Sequence, residues 1–462
     1  MRTWWHHMQR ARAGDAGISL AEVLVAMFLF ALVSSGLAYS LLSVLHLSRD
    51  ARVRAIAANL AAEEIDLARD APNIFGLLDD ERDVTVGSDT FQVVRRTQWV
   101  SDPDTEFTCG SAGVGSALRY KRINVTVTWG GMRPGADPVR SDTVLNPDEH
   151  INDPTKGTIL VSVLRADGTG NEGVTVTASP SVGSVISQTD AQGCTYVLRV
   201  NPGTYTIAVS RTGHVSDAQV QVPTQTAVVT ANATASLGFQ LDQGATYTTH
   251  LAPHATGTVR TPTDGSLKMT FLSTYGRATP GATSTADPRR PQYRLHPFTA
   301  GYQAVAGTCA AADPTAWPVS DVGGVSHEGV LAPAVAAPPG GSATIEVPMG
   351  VVEVSSTGNS NRYLRAESVN PPVGSGLPGC DATETLTYGQ VIPTTNGQKV
   401  AIALPYGTWR LFYANSSGAT GSTLPESRVT IPSPNVAGSV TKAPVGASAV
   451  TVTVDPRQPV TP

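Results

Sequence analysis

From Ile18 to Leu47 the chain reads ISLAEVLVAMFLFALVSSGLAYSLLSVLHL, in which Glu22 is the single formally charged residue. That run exceeds the roughly 20 apolar residues a helix needs to cross a bilayer. A helix apolar on every side has no stable place in water, so the segment predicts a membrane span over about 18–47. Ahead of it, Arg2, Arg10 and Arg12 outweigh Asp15, which predicts an N-terminus held in the cytoplasm and the remainder outside. A secretory signal has an apolar core of about 7 to 15 residues and then a small-residue cleavage site. This run is longer and carries an acid near its start, so it does not fit that pattern.

A carboxylate inside an apolar span costs about 2.5 to 3.5 kcal/mol at the helix centre and less toward the interface. One compensation is local: Ser19-Leu20-Ala21-Glu22 has the S-x-x-E form of a capping box, with Ser19 as the cap and Glu22 well placed against the helix dipole. A second comes from resemblance. The short basic leader, the Gly17-Ile18 junction and the Glu at the fifth position after Gly17 resemble the type IV prepilin family. The resemblance implies cleavage between Gly17 and Ile18 by a prepilin peptidase/methyltransferase and N-methylation of Ile18. It also implies an assembly role for Glu22, whose carboxylate would neutralise a neighbouring subunit's cationic terminus and so remove two isolated buried charges at once. Ile18 and Ser19 stand where the family commonly has Phe and Thr, and Tyr39 where many major pilins have a kinking Pro. With no Pro from Ile18 to Ala71, a straighter helix and a minor pilin are expected.

Beyond the span, Val53, Ile56, Leu60 and Leu67 recur at helical spacing, with Arg49, Arg52, Arg54, Glu63 and Asp66 between them. The helix is therefore expected over 18–71, membrane-inserted in its first half and amphipathic in its second, ending before Pro72-Asn73.

The rest is all-β in character. Charged residues are 15% of the chain, Gly and Pro number 44 and 33, and Thr/Val alternation replaces the helical period. A small pilin-like sheet is expected over 72–150, with strands Phe91–Thr97 and Tyr120–Trp129; Ile123, Val125, Val127 and Trp129 line its buried face. Arg95, Arg96, Lys121 and Arg122 read as solvated strand faces. Residues 155–242 resemble the carboxypeptidase-regulatory, transthyretin-like β-sandwich. The resemblance rests on strands near Gly157–Val161 and Gly173–Thr177, a Thr189–Gly193 turn, and Pro202-Gly203-Thr204-Tyr205 leading into a strand, followed by Gly213-His214. Gly193 and Gly203 are expected to supply turn conformations, and Tyr205, Ile207 and Val209 to point inward. Residues 247–462 read as one larger or two smaller β modules, giving two or three sandwich modules in all, with Trp409 and Tyr413 in the core.

No catalytic constellation is legible. No His has Glu at H-x-x-E or H-E-x-x-H spacing, and Pro253 breaks the helix that would align His250 with His254. No G-x-S-x-G or P-loop is present, so neither catalysis nor a cofactor is expected. Removing Arg2, Arg10, Arg12 and Asp15 from 32 basic and 37 acidic residues leaves a balance of minus 7, which argues against nucleic acid as a partner.

The reading is a minor pilin or pilin-like subunit of a type IV pilus at the cytoplasmic membrane and then the cell surface. Its expected partners are the peptidase, other pilin subunits and the pilus assembly machinery, with a host or surface ligand open for the β modules. A pseudopilin of a type II secretion or DNA-uptake system shares the terminus, and an uncleaved membrane-anchored adhesin is the reading from a different class.

Four cysteines in an exported chain admit three connectivities. Cys309 with Cys380, inside the C-terminal region, is the expected pair, which leaves Cys109 with Cys194; loops this long add about 4 kcal/mol in the chain-entropy model. Non-reducing peptide mapping should recover these two pairs, and a Cys109–Cys309 peptide would overturn the assignment.

Overall fold

The computed structural model describes residues 20–71, 74–101, 105–107, 115–116, 118–132, 135–145, 153–183, 186–263, 265–358, 363–416, 419, 421–433, 435 and 438–460. One long N-terminal helix is followed by strands in several sheets, and the chain divides into two compact units. The first comprises residues 1–100 and 120–146, the second 101–119 and 147–462.

In the first unit the helix runs Leu20–Arg69 without interruption, 50 residues or about 75 Å at 1.5 Å per residue. From Glu22 to Arg49 every residue except Ser34 is exposed. From Val53 onward a stripe at near four-residue spacing, Val53, Ala57, Ala61, Ile65 and Ala68, is buried. It packs on a sheet whose strands lie in the order Asp80–Val86, Asp89–Ser101, Leu118–Trp129, Val139–Leu145. Three alanines in the stripe let the helix approach the sheet closely, and Phe91, Val93, Ile123, Val125 and Val127 fill the space beneath. Leu67, expected on this face, is 52% exposed; at about 100° per residue it is turned away from the buried stripe, whose last member, Ala68, is still covered. Ile56 and Leu60 pack at the margin as partly buried residues.

The second unit begins with a sandwich. One sheet has the order Thr224–Val229, Gly203–Ser210, Thr175–Ser179; the other His214–Ser216, Ala233–Gln243, Gly157–Leu164, Cys194–Val200. The strand Gly157–Leu164 is buried along nearly its whole length, and it runs parallel to Ala233–Gln243. Gly115–Ser116, from the excursion 101–119, pairs antiparallel with Ala233 and Thr234. Tyr205, Ile207 and Val209 point into the core beside Ile159, Val161 and Val163. Gly193 carries a turn with φ +79°, and a Cβ there would meet the Val163 carbonyl oxygen at 2.1 Å. Gly203 is a correction: it opens a strand opposite Val229 and has no left-handed φ, so it supplies no turn conformation. The turn before it is made by Asn201 and Pro202, with the Tyr205 hydroxyl donating to the Asn201 carbonyl at 3.0 Å.

The C-terminal region is organised around a shared sheet. It holds two hydrophobic cores separated by one sheet of Val259–Arg260, Lys399–Leu404, Gly350–Ser355 and Val429–Thr430. Side chains alternate across that sheet. Val351 and Ala403 enter the core that contains Tyr247, Phe271 and Tyr302, while Val352, Val354, Ile402 and Leu404 enter the core of Trp409, Leu411 and Tyr413. Burial on both faces explains the nearly unbroken apolar run Val400–Leu404.

A polar seam ties the sandwich to the next core. Gln219, with φ +62°, donates through Nε2 to the Tyr302 hydroxyl at 2.7 Å and accepts from the His296 backbone N–H at 3.0 Å. Tyr302 in turn donates to the His296 carbonyl at 2.8 Å, closing the network around fully buried groups.

Gly193→Ala combines a disfavoured φ with a backbone clash. A loss of at least about 3 kcal/mol is expected, measured by chemical denaturation, against about 1–2 kcal/mol for Gly213→Ala, where φ is +78° and carries the left-handed cost alone because no atom lies within 4 Å of the added Cβ.

Candidate functional site

The long helix carries the candidate site. Glu22 stands in its first turn, exposed, on a face shared at helical spacing with Val25, Ala26 and Leu29. Among the described residues it makes no ion pair or hydrogen bond. A carboxylate without a partner among the described residues is thereby set at the start of an apolar helix segment that is exposed from Glu22 to Arg49 save for Ser34. Gly17, Ile18 and Ser19 lie outside the described residues, so neither the processing junction nor the cap is seen. By length and composition the helix from Glu22 to Arg69 can cross a membrane: its apolar window has a mean hydropathy of 2.0 and is not buried in the protein.

A second carboxylate is not singled out by periodicity. Glu64 is fully buried at the helix–sheet interface. Its Oε1 accepts from Arg95 Nη1 at 2.5 Å, and its Oε2 lies 2.6 Å from Arg82 Nη2, off the hydrogen-bonding direction. Arg95 also donates through Nε to the Leu78 carbonyl at 2.9 Å, which leaves its guanidinium held from two sides. Lys121 is buried as well: its ammonium donates to the Ile74 carbonyl at 3.2 Å and to the Leu77 carbonyl, 5.4 Å from the centre of the Trp99 ring.

These two residues correct the expectation of solvated strand faces. Arg96 and Arg122 are exposed, but Arg95 shares the inward face with Phe91 and Val93, and Lys121 shares it with Ile123 and Val125. The period of two that assigns Ile123 and Val125 to the core extends to both. The missing signal is a carboxylate to receive Arg95, and Glu64 is that group.

Of the cysteines, Cys309 and Cys380 are joined in a disulfide across a separation of 71 residues. Cys194 has no free thiol, and Cys109 lies outside the described residues. Among the described residues the gathering of three metal-capable side chains is Cys309, Cys380 and Glu384, where both sulfurs are already used in the disulfide. Trp409 and Tyr413 are buried, their polar atoms given to the Pro405 and Ser355 carbonyls at 2.8 and 2.6 Å.

His250 and His254 do not converge with a third ligand among the described residues. Burial, with Arg289 near both and Arg290 near His250, lowers the pKa of each. His254 Nε2 is sealed without a hydrogen-bond partner.

No protein-family model matches the chain, and no curated protein matches it. Among solved structures it is similar to the Bacillus anthracis TIE protein, at 10% identity and a TM-score of 0.19, over 79% of this chain and 75% of that one. It is also similar to BcpA, the major pilin subunit of Bacillus cereus, at 10% identity and a TM-score of 0.19, over 65% and 95%. A Streptococcal ancillary pilin aligns at 9% identity and a TM-score of 0.13, over 66% and 99%. At these TM-scores the likeness carries no argument about fold or function, and the functional reading rests on the chain's own residues.

Two outcomes are expected. Glu64→Gln leaves Arg95 without its charge partner at a buried position and should cost about 3 kcal/mol in denaturant titrations, whereas exposed Glu63→Gln should stay within about 0.5 kcal/mol. The second concerns His254. Its folded pKa is depressed, so its contribution is present above the unfolded value of about 6.5 and is lost as pH falls through the folded value. Stability should therefore drop on acidification below about pH 6.5, and less steeply in His254→Asn.

Proposed function

We propose that the chain is a minor pilin or pilin-like subunit of a type IV filament. The observation that carries this reading is a single helix with two unlike halves. The upper half, from Val53, is seated on a sheet, while the lower half, from Glu22 to Arg49, is apolar and bare, with one carboxylate, Glu22, that has no partner among the described residues. Such a half requires a cover outside its own head. Lipid provides it first, and the helices of neighbouring subunits provide it after assembly.

In this reading a prepilin peptidase/methyltransferase cuts between Gly17 and Ile18 and methylates Ile18. The new cationic terminus of one subunit then pairs with Glu22 of another, as two charges in a low-dielectric core require. The assembly machinery in the membrane and other pilin subunits are the partners. The sandwich at 157–243, built of two facing sheets, is compatible with the carboxypeptidase-regulatory, transthyretin-like class. The β modules are displayed outside the cell for assembly initiation or adhesion and perform no catalysis. A head this large belongs at a tip or at low copy, because many copies would crowd a filament.

Mass spectrometry of the mature protein tests the processing step. A chain beginning at N-methylated Ile18 is expected, and a chain beginning at Met1 would instead mark an uncleaved anchor. Glu22→Val should leave cleavage intact and reduce filament incorporation at least about tenfold, the equivalent of losing one charge pair worth about 1.4 kcal/mol or more. Unchanged incorporation would reduce Glu22 to a helix cap.

A further inference from the structure

The shared-sheet region contains a cleft that the filament reading does not use. It lies beside the core of Tyr247, Phe271 and Tyr302, between the strands Met269–Ser273 and Gln292–Leu295 and the loops flanking them. Its volume is about 220 Å³. Its walls include Pro262, Pro280, Pro288 and Pro291, with Leu251 and Met269 behind them. Proline fixes its own backbone φ and has no N–H. The walls are therefore pre-formed, and the prolines present apolar ring surface with no backbone donor.

Four polar side chains, Thr263, Lys268, Thr285 and Tyr293, break that apolar lining. Tyr293 is 4% exposed, and its ring is locked edge-on against Phe271 at 4.9 Å between centroids. Its hydroxyl has no hydrogen-bond partner among the described residues, and burial raises its pKa to about 12. The hydroxyl is not among the sealed polar atoms, so it opens onto the cleft, where a ligand acceptor would take the place of water. Lys268 lines the same cleft, is exposed at its mouth and meets no carboxylate among the described residues. The Thr263 hydroxyl is already committed to the Thr387 carbonyl at 3.3 Å. The polar side-chain capacity left open among the described residues thus consists of the uncharged Tyr293 donor at depth, the exposed Thr285 hydroxyl and the Lys268 cation at the entrance.

We propose that this cleft binds a small carboxylate bearing one aromatic ring or a branched apolar body of similar size. The volume sets the size, since a cavity of about 150 Å³ holds benzene and the remainder here admits a short chain. The apolar walls set the body, because burying it there removes surface from water at little ordering cost in a pre-formed site. A carboxylate satisfies Tyr293 and Lys268 together: one oxygen accepts from the Tyr293 hydroxyl, and the negative charge meets the Lys268 ammonium. A neutral body would leave Lys268 unused, and a cationic one would oppose it. No step of pilus assembly depends on this site.

The test uses the full chain in detergent, with 3-phenylpropionate as probe and protein-free micelles as the blank. Calorimetric titration should give saturable binding to one site with a Kd of about 1 mM or tighter, the value for about eleven heavy atoms at ordinary ligand efficiency. Tyr293→Phe, which removes only the hydroxyl, should weaken binding about five- to tenfold. Lys268→Met should weaken it by a similar factor and remove its salt dependence, and the neutral alcohol 3-phenylpropanol should bind wild type about tenfold less tightly than the acid. Failure to saturate at about 10-fold above the expected Kd, wild-type affinity in both variants, or equal affinity for acid and alcohol would each overturn the proposal. None of these outcomes bears on whether the mature chain begins at Ile18, so the two readings fail separately.

Discussion

The seating of the helix on its sheet is the constraint on which the first unit depends. Close approach comes from the alanines at 57, 61 and 68, and position along the axis comes from Glu64 meeting Arg95 and Arg82. A buried ion group of this kind contributes little net stability, because desolvation offsets most of the attraction. Its effect is on register. Sliding the helix by one turn, about 5.4 Å, would carry the Glu64 carboxylate away from both guanidinium groups and leave the buried charge without them. The register in turn fixes which part of the helix is covered by the sheet and where the bare part begins.

The second unit is organised by shared burial. One sheet serves two cores, with smaller side chains such as Val351 and Ala403 facing the aromatic-rich side and larger ones such as Ile402 and Leu404 facing the other. Neither core could be removed without exposing an apolar face of that sheet. The Gln219 seam acts similarly on the sandwich: its amide oxygen receives the His296 backbone N–H, and its Nε2 donates to the Tyr302 hydroxyl, which itself donates to the His296 carbonyl. The modules of this unit are therefore joined by satisfied polar groups and common core, and a free linker of polar residues is not what connects them.

Local pattern is a good guide where one periodicity governs a segment. Ile123, Val125 and Val127 follow the strand period to the core, and Trp409, Leu411 and Tyr413 do the same in the C-terminal region. It misleads where charge type is allowed to override period. Lys121 and Arg95 occupy inward positions by spacing, yet their charge suggests solvent, because the groups that satisfy them are distant in sequence: Glu64 is 31 residues from Arg95, and Leu77 is 44 from Lys121. Leu67 errs the other way: it is apolar, but it is turned away from the buried stripe while the neighbouring Ala68 is covered. Gly203 looks like a turn residue from its Pro neighbour, and pairing with Val229 makes it a strand.

By itself the sequence determined the helix, its apolar first half with Glu22, and the all-β character of the chain beyond the helix, since each depends on composition and short-range spacing. Tertiary structure decided which carboxylate is buried and by what, that one sheet divides two cores, and that prolines and Tyr293 from separate loops and strands enclose a cleft. Those outcomes depend on contacts between residues far apart in the chain, and no local period encodes a partner at a distance.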